Sequence, residues 1–233
     1  MRVLSRISAL AWPAVDLSRR EAQVWPAATR RRGDRVADLG GRAVIVVLFT
    51  LLTIAITADF LATGRSTGLL LLGSEALVVV FTVVRRSAVW MDRSWRARIL
   101  TAASLAGPPL VRPAADGALA PEIVTVALSA AGLLVVVAGK LSLGRSFGLM
   151  PANRGIVSTG LYRWLRHPIY AGYLVTHLAF VAAHATIWNV AVLVVADVAL
   201  LVRAVIEERT LALDPAYASY QQRVRWRVCP GIF

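Results

Sequence analysis

His167 and Tyr170 stand in the run His167-Pro168-Ile169-Tyr170, directly before an apolar stretch that continues to Ala185. A residue before proline is disfavoured in helical conformation, whereas proline itself suits the first turn of a helix. We therefore expect His167 at the head of a membrane helix, beside backbone N–H groups that the helix leaves unpaired. A histidine and a tyrosine at the boundary between cytoplasm and lipid could bind a polar cofactor next to a substrate held in the membrane.

A second group of ionisable residues lies at the end of the last apolar stretch. Arg203 and Glu207 are four residues apart and share one helix face. Glu208 is turned about 100° away from Glu207 and shares its face with Asp197. The helix end thus offers two polar faces, which serve either a functional site or an interfacial ion pair that anchors the helix. Asp197 lies deeper in the stretch, where an ionisable residue is costly and needs a reason.

Tyr170, His177 and His184 recur every seven residues and form a stripe along the preceding helix. Such a stripe is costly against lipid, so we expect it to face the bundle or a cavity. It predicts either a pocket wall or interhelical hydrogen bonds, and the second is the commoner use of such groups in membranes. No carboxylate or thiolate is visibly placed to complete a metal site with the histidines.

The composition indicates an integral membrane protein. Of 233 residues, 58% are hydrophobic, which exceeds the share in an ordinary soluble domain. The net charge of +13 suits cytoplasmic loops and anionic headgroups, and no basic face stands apart from a membrane flank, so we do not expect nucleic-acid binding. The single cysteine, Cys229, can form no internal disulfide.

Six segments are candidates for membrane crossing, because about 20 apolar residues span the hydrocarbon core. They are Ala43–Ala62, Gly68–Val84, Ile99–Val111, Leu119–Ala138, Pro168–Ala185 and Ile187–Ile206. The third is weak, since Gly107-Pro108-Pro109 interrupts it. With six crossings and a cytoplasmic N-terminus, only Arg65 and Arg112 among the 26 basic residues fall outside the cytoplasm, a strong positive-inside pattern.

We therefore predict an all-α integral membrane protein with about six transmembrane helices, a multi-pass topology and both termini in the cytoplasm. Its parts are a basic cytoplasmic arm at 1–42, leading transmembrane helices at 43–118, and a core at 119–233 with the last three spans. The turn His184-Ala185-Thr186 is so short that the last two spans must be antiparallel neighbours. Their cytoplasmic ends then bring His167 beside Arg203–Arg209 and define a cofactor site there.

Three sequence blocks resemble the isoprenylcysteine carboxyl methyltransferase and phospholipid methyltransferase superfamily, over about residues 119–233. They are Leu143-Gly144-Arg145-Ser146-Phe147; Thr159-Gly160-Leu161-Tyr162-Arg163 running into Arg166-His167-Pro168-Ile169-Tyr170-Ala171-Gly172; and Arg203-x-x-x-Glu207-Glu208 with Leu211, Tyr217, Tyr220 and Pro230-Gly231-Ile232-Phe233. The sequence departs from the family at Leu161, where proline is frequent, and at Asp214-Pro215-Ala216, ahead of the two tyrosines.

The resemblance implies an enzyme that uses S-adenosylmethionine to methylate a lipophilic or prenylated acceptor in the membrane. Arg203 and Glu207 would lie nearest the acceptor, as the catalytic pair. The residues implied in cofactor binding are His167, Tyr170, Glu208, Tyr162, Arg163, Tyr217 and Tyr220, the last two in an element that closes over the cofactor. No metal ion is implied.

The identity of the acceptor stays open between a prenylcysteine carboxylate, a phospholipid amine and another lipophilic metabolite. Arginine can hold a substrate carboxylate, and Glu207 could act as a base towards an amine. We favour a carboxylate or other oxygen, because the Arg203 block resembles the isoprenylcysteine branch. Two further alternatives are an NADPH-dependent reductase of the sterol reductase type, which carries a similar Arg-His-Pro-x-Tyr run, and a non-enzymatic membrane scaffold.

Overall fold

The computed structural model describes residues 77–233 except 87, 89, 93, 113, 115–117, 149 and 151, together with isolated positions between 39 and 61. The arm predicted at 1–42 and the first two predicted spans, Ala43–Ala62 and Gly68–Val84, therefore lie largely outside the described residues. The isolated positions are helical, and so are residues 77–84.

The described part of the chain is mostly helical, as predicted. Its helices are α1 (Trp95–Leu110), α2 (Glu122–Leu143), α3 (Pro168–Ala183), α4 (Ile187–Leu211) and α5 (Pro215–Arg223). Short 3-10 turns cover Gly144–Ser146 and Gly160–Arg163, and the strands β1 (Trp90–Met91) and β2 (Ala152–Asn153) pair antiparallel.

Side chains fix several helix ends. Ser94 and Thr186 accept hydrogen bonds from the backbone N–H groups of Ala97 and Asn189 at the starts of α1 and α4, which satisfies donors that a helix end leaves free. Helix α3 begins at Pro168 with His167 directly before it, as the sequence predicted.

Two predicted spans are longer than expected. Helix α2 runs on to Leu143 instead of ending near Ala138, and α4 runs on to Leu211 instead of Ile206. The extension of α2 carries Lys140 into the packed region, where it is fully buried with its Nζ 5.8 Å from the centre of the Tyr173 ring. Lys140 therefore lies among the packed helices.

Helices α2 and α4 are long and apolar enough to cross a membrane, whereas α3 is apolar but shorter. Large apolar side chains on their outer faces are exposed, for example Ile123, Leu134, Val195 and Leu178. Ile187, at the start of α4, is 91% exposed. A protein that leaves such faces uncovered needs an apolar surrounding, so the helices indicate a membrane protein.

The helices pack in two pairs, α2 with α3 and α1 with α4. Glycine permits the first pairing: a Cβ on Gly132 would lie 2.8 Å from the carbonyl oxygen of Gly172. In the second pair, a Cβ on Gly107 would lie 2.7 Å from that of Ala196. The turn between α3 and α4 is as short as predicted, but the two helices do not pack mainly on each other. Each lies closer to a different partner, with small residues at the contact.

Replacing Gly172 by alanine is expected to destabilise the protein by about 1–3 kcal/mol. The added methyl would lie 2.6 Å from the Gly132 carbonyl oxygen and 2.8 Å from the Val136 nitrogen, so the α2 and α3 backbones must separate. Thermal unfolding in detergent measures the effect. Ala127→Leu on the exposed face of α2 adds more volume and should change little; equal effects of the two substitutions would contradict the close approach.

Candidate functional site

The polar residues predicted at the ends of the last two spans meet in the structure. His167 Nε2 lies 3.2 Å from Glu208 Oε1, and the Tyr170 hydroxyl donates a hydrogen bond of 2.7 Å to Glu207 Oε2. Both contacts join the start of α3 to the end of α4. The predicted juxtaposition of these two helix ends is therefore confirmed, and we call this group, with Arg166 and Arg203, the helix-end cluster.

Glu208 is the buried centre of an ion-pair network. Besides His167, it contacts Arg166 Nε at 3.2 Å and Arg227 Nε at 2.8 Å. The side chain of Glu208 is 3% exposed and is not part of the cavity wall described below. A fourth partner, Gln221, donates from Nε2 to Glu208 Oε2 at 3.4 Å. Glu208 therefore holds the helix-end cluster together. The implied contact of Glu208 with a cofactor stays a prediction.

Arg203 and Glu207 face the interior from the same side of α4, as their spacing predicted. The Arg203 guanidinium carbon lies 5.5 Å from the centre of the Tyr170 ring, a cation–aromatic contact, and Nη1 lies 3.4 Å from Ser104 Oγ of α1. Arg203 is buried. Both side chains line the same cavity, so one positive and one negative group are presented together to whatever occupies it.

Helix α5 packs its tyrosines over this cluster. Asp214 caps the helix by accepting from the Ala216 N–H, and Asn153 Nδ2 donates 2.8 Å to the other Asp214 carboxylate oxygen. The departure from the family pattern at Asp214-Pro215-Ala216 thus starts a regular helix. Tyr217 and Tyr220 are both buried, with ring centres 5.5 Å apart, and both line the cavity.

The hydroxyl groups around α5 are held neutral. Burial raises the pKa of Tyr220 to about 12, although the Arg166 cation opposes the shift. Burial also raises the pKa of Tyr217, and the negative charges of Glu208 and Glu207 add to that effect. The same two kinds of cause, burial and the Glu207 charge, raise the pKa of Tyr162 well above its ordinary value.

Replacing Tyr220 by phenylalanine is expected to cost about 1–3 kcal/mol of stability at pH 8. The Tyr220 hydroxyl donates a 2.7 Å hydrogen bond to the buried Tyr162 carbonyl oxygen, and phenylalanine leaves that acceptor unpaired. Chemical or thermal unfolding of both proteins measures the difference.

The difference should also depend on pH. Because the pKa of Tyr220 is raised in the folded protein, its contribution is present below the unfolded value near 10 and is lost as the pH rises from there towards about 12. The stability gap between wild type and Tyr220→Phe should therefore narrow over that range. A gap that stays constant to pH 12 would contradict the assigned hydrogen bond.

Arg163 does not join the helix-end cluster. The 3-10 turn Gly160–Arg163, entered through Gly160 at φ 59°, buries Tyr162 and leaves Arg163 exposed. The Arg163 guanidinium lies 5.5 Å from the ring centre of Trp164 instead. Arg166, and not Arg163, is the arginine of this motif that lines the cavity, and a role of Arg163 in cofactor binding stays a prediction.

A cavity of about 990 Å³ lies between the two helix pairs. One end is the helix-end cluster with Tyr162, Tyr217 and Tyr220, and the wall continues along α3 to His184 and reaches Glu122 at the start of α2. Tyr170 and His184 are fourteen positions apart, so the cavity follows α3 for about 21 Å. Apart from the cluster its wall is largely apolar, with residues such as Leu133, Ile169, Phe180, Leu193 and Leu200.

The stripe of Tyr170, His177 and His184 lines this cavity throughout, which confirms that it faces the interior. Tyr170 and His177 make the interhelical contacts that the sequence suggested, whereas His184 contacts a residue between α1 and α2. His177 Nδ1 lies 2.6 Å from Asp197 Oδ1 of α4, and His184 Nδ1 lies 2.9 Å from the Ala114 carbonyl oxygen. Asp197 therefore contacts His177 of α3, although Asp197 shares a face of α4 with Glu208.

Sequence reasoning missed two arginines that contact Glu208, namely Arg166 and Arg227. Arg166 had a usable signal, because it directly precedes His167 in the motif. Arg227 had none: it lies in the tail beyond α5, where the backbone N–H of His167 donates to the Arg227 carbonyl oxygen at 2.7 Å. This tail contact places the Arg227 side chain against Glu208.

Comparison with known proteins identifies one similar family. Residues 123–213 match the model of the isoprenylcysteine carboxyl methyltransferase (ICMT) family. A search of curated proteins finds no match. The matched range covers less than half of the chain and includes nearly all of α2, all of α3 and α4, and the whole helix-end cluster. Arg227, the tail partner of Glu208, lies beyond it. The resemblance seen in the motifs is thereby confirmed over residues 123–213, which are similar to a family of membrane methyltransferases.

Proposed function

We propose that this protein transfers the methyl group of S-adenosylmethionine to an oxygen, most favourably a carboxylate oxygen, of a lipophilic acceptor held in the membrane. The observation that carries the proposal is that Arg203 and Glu207 both line one end of a long, mostly apolar cavity. A lipid chain suits the apolar part, and a polar headgroup suits the charged end.

The helix-end cluster fits the chemistry of the cofactor. Aromatic faces and a carboxylate attract cations, and Tyr170, Tyr217 and Glu207 offer both to a sulfonium. Arg166 and His167, which also line the cavity, offer positive charge and hydrogen-bond donors to a carboxylate. When bound, S-adenosylmethionine would supply an electrophilic methyl group.

The protein needs no nucleophile of its own for this reaction. Methyl transfer is a direct displacement, so the main requirement is to hold the acceptor oxygen in line and to exclude water. Arg203 would bind the acceptor carboxylate, since a guanidinium matches it with two parallel hydrogen bonds. Glu207, held in place by the Tyr170 hydroxyl, would attract the positively charged sulfonium. Towards an amine acceptor, Glu207 would instead accept a proton.

The topology also belongs to this proposal. We infer six crossings with both termini in the cytoplasm, a basic arm at 1–42, leading helices at 43–118 and a methyltransferase core at 119–233. The distribution of the arginines supports it. The helix-end cluster would then open to cytoplasmic cofactor, while the cavity would open to lipid.

Calorimetric titration of the detergent-purified protein with S-adenosylmethionine and with NADPH tests the cofactor directly. We expect S-adenosylmethionine to bind and NADPH not to bind. His167→Ala should weaken binding, because it removes a cavity-lining group and one partner of Glu208. Arg223→Ala, on the exposed face of α5, should bind like wild type. Binding of NADPH alone would overturn the proposal in favour of a reductase.

A further inference from the structure

We propose that His177, oriented by Asp197, forms a second polar binding site within the cavity and recognises a hydroxyl group on the hydrocarbon part of the acceptor. The inference rests on the proposed function only in identifying the ligand as the acceptor. It assigns that lipid a second polar group, which a plain hydrocarbon chain lacks.

In the His177–Asp197 pair, only the histidine faces the cavity. The His177 ring lines the cavity, whereas Asp197 does not and lies behind it with Oδ1 2.6 Å from His177 Nδ1. A carboxylate only accepts hydrogen bonds, so Nδ1 carries the proton. Within the described part of the chain, His177 Nε2 has no hydrogen-bond partner. The pair therefore leaves one ring nitrogen for a ligand in the cavity.

Two other polar side chains of the cavity wall, unlike His177 Nε2, already have hydrogen-bond partners. Thr125 and Thr176 also line the cavity, but each donates its hydroxyl hydrogen to a backbone carbonyl of its own helix, at 2.9 and 2.8 Å. The Tyr173 ring stacks on His177 with centres 6.3 Å apart, which further fixes the imidazole. Since His177 lines the cavity, a methylene placed against Nε2 would leave this nitrogen without a partner, which is unfavourable. A ligand group that bonds to Nε2 is therefore favoured over a methylene.

The position of the pair predicts the position of the ligand group. Tyr170 and His177 are seven residues apart on α3, about 10 Å along the axis, and Asp197 and Glu207 are ten apart on α4, about 15 Å. The hydroxyl is thus expected about 10–15 Å from the methylated oxygen. A hydroxyl suits the site in either protonation state of His177, because it both donates and accepts.

Two matched acceptors test this inference: a long-chain carboxylic acid, and the same acid with one hydroxyl about 10–15 Å from the carboxylate. Binding is measured by competition in detergent, without any methyl transfer. Wild type should bind the hydroxylated acid about 5–10-fold more tightly. His177→Phe should abolish that preference while binding the plain acid as before. His177→Gln, which keeps an amide in reach, should restore part of it. Ser219→Ala, on the exposed face of α5 and outside the cavity wall, should retain all of it.

A preference that survives in His177→Phe, or that wild type lacks, would overturn the inference. Asp197→Leu should reduce the preference without contacting the ligand, since it only releases the imidazole. The two proposals fail separately. If both acids are methylated equally well, the hydroxyl site is wrong and the methyltransferase stands. If neither is methylated but His177 still sets the binding preference, the hydroxyl site stands and the reaction is wrong.

Discussion

Replacing Glu208 by alanine is expected to destabilise the protein by about 3–5 kcal/mol, a loss that would unfold many membrane proteins on purification. Glu208 is 3% exposed and pairs with Arg166, His167 and Arg227. Its removal leaves buried positive charge without a partner, which is far costlier than losing an exposed ion pair. Thermal unfolding in a mild detergent, followed by the retained monodisperse fraction, measures the effect.

The matched control for this substitution is Glu122→Ala. Glu122 stands exposed in the first turn of α2, where its interaction with the helix dipole contributes at most about 1 kcal/mol. Glu208→Gln should fall between the two, because it keeps the side-chain volume and some hydrogen bonds but loses the charge. If Glu208→Ala unfolds no more easily than Glu122→Ala, the network does not hold α3, α4 and the tail together.

The largest effect on the reaction is expected from Arg203→Ala, which should lower kcat/KM for a carboxylate acceptor by about 10²–10³-fold. Arg203 is buried, lies over the Tyr170 ring and lines the cavity beside Glu207. Without its guanidinium the acceptor carboxylate loses both its counter-charge and its orientation. Arg203→Lys should recover only part of the rate, since an ammonium group cannot make two parallel hydrogen bonds.

Two accompanying measurements separate this effect from misfolding. Binding of S-adenosylmethionine should stay near the wild-type value in Arg203→Ala, because the ion pairs of Glu208 do not include Arg203. The thermal midpoint, measured beside it, reports the loss of the buried contacts of Arg203 with Tyr170 and Ser104. Arg223→Ala, on the exposed face of α5, provides the control for loss of one positive charge. A rate within about threefold of wild type for Arg203→Ala would remove this residue from acceptor binding.

The sequence alone predicted which helix ends meet, but not which helices pack together. The three-residue turn before Ile187 forced α3 and α4 to be adjacent, and the contact of His167 with Glu208 confirms it. Hydropathy could not show that α3 lies closest to α2, because lipid-facing and helix-facing surfaces are equally apolar. That choice depends on where backbones can approach, at Gly132 and Gly172.

Within the site, helical spacing was informative and irregular segments were not. The four-residue separation of Arg203 and Glu207 correctly placed both on one face, since the α-helix continues through Leu211. Spacing could not show which of Arg163 and Arg166 lines the cavity, because the 3-10 turn and the extended residues before Pro168 do not follow the helical repeat. Arg227 reaches Glu208 only through the folded tail, a contact that no local pattern predicts.

The proposed reaction is tested most directly by incubating membranes that contain the protein with S-adenosylmethionine labelled in its methyl group, together with a long-chain carboxylic acid. We predict that the lipid extract becomes labelled and that mild base releases this label as volatile methanol, as expected of a methyl ester. Membranes that contain Arg203→Ala should not form this labelled lipid. Lipid that remains unlabelled, or label that resists base as a methylated amine would, contradicts methyl transfer to a carboxylate oxygen.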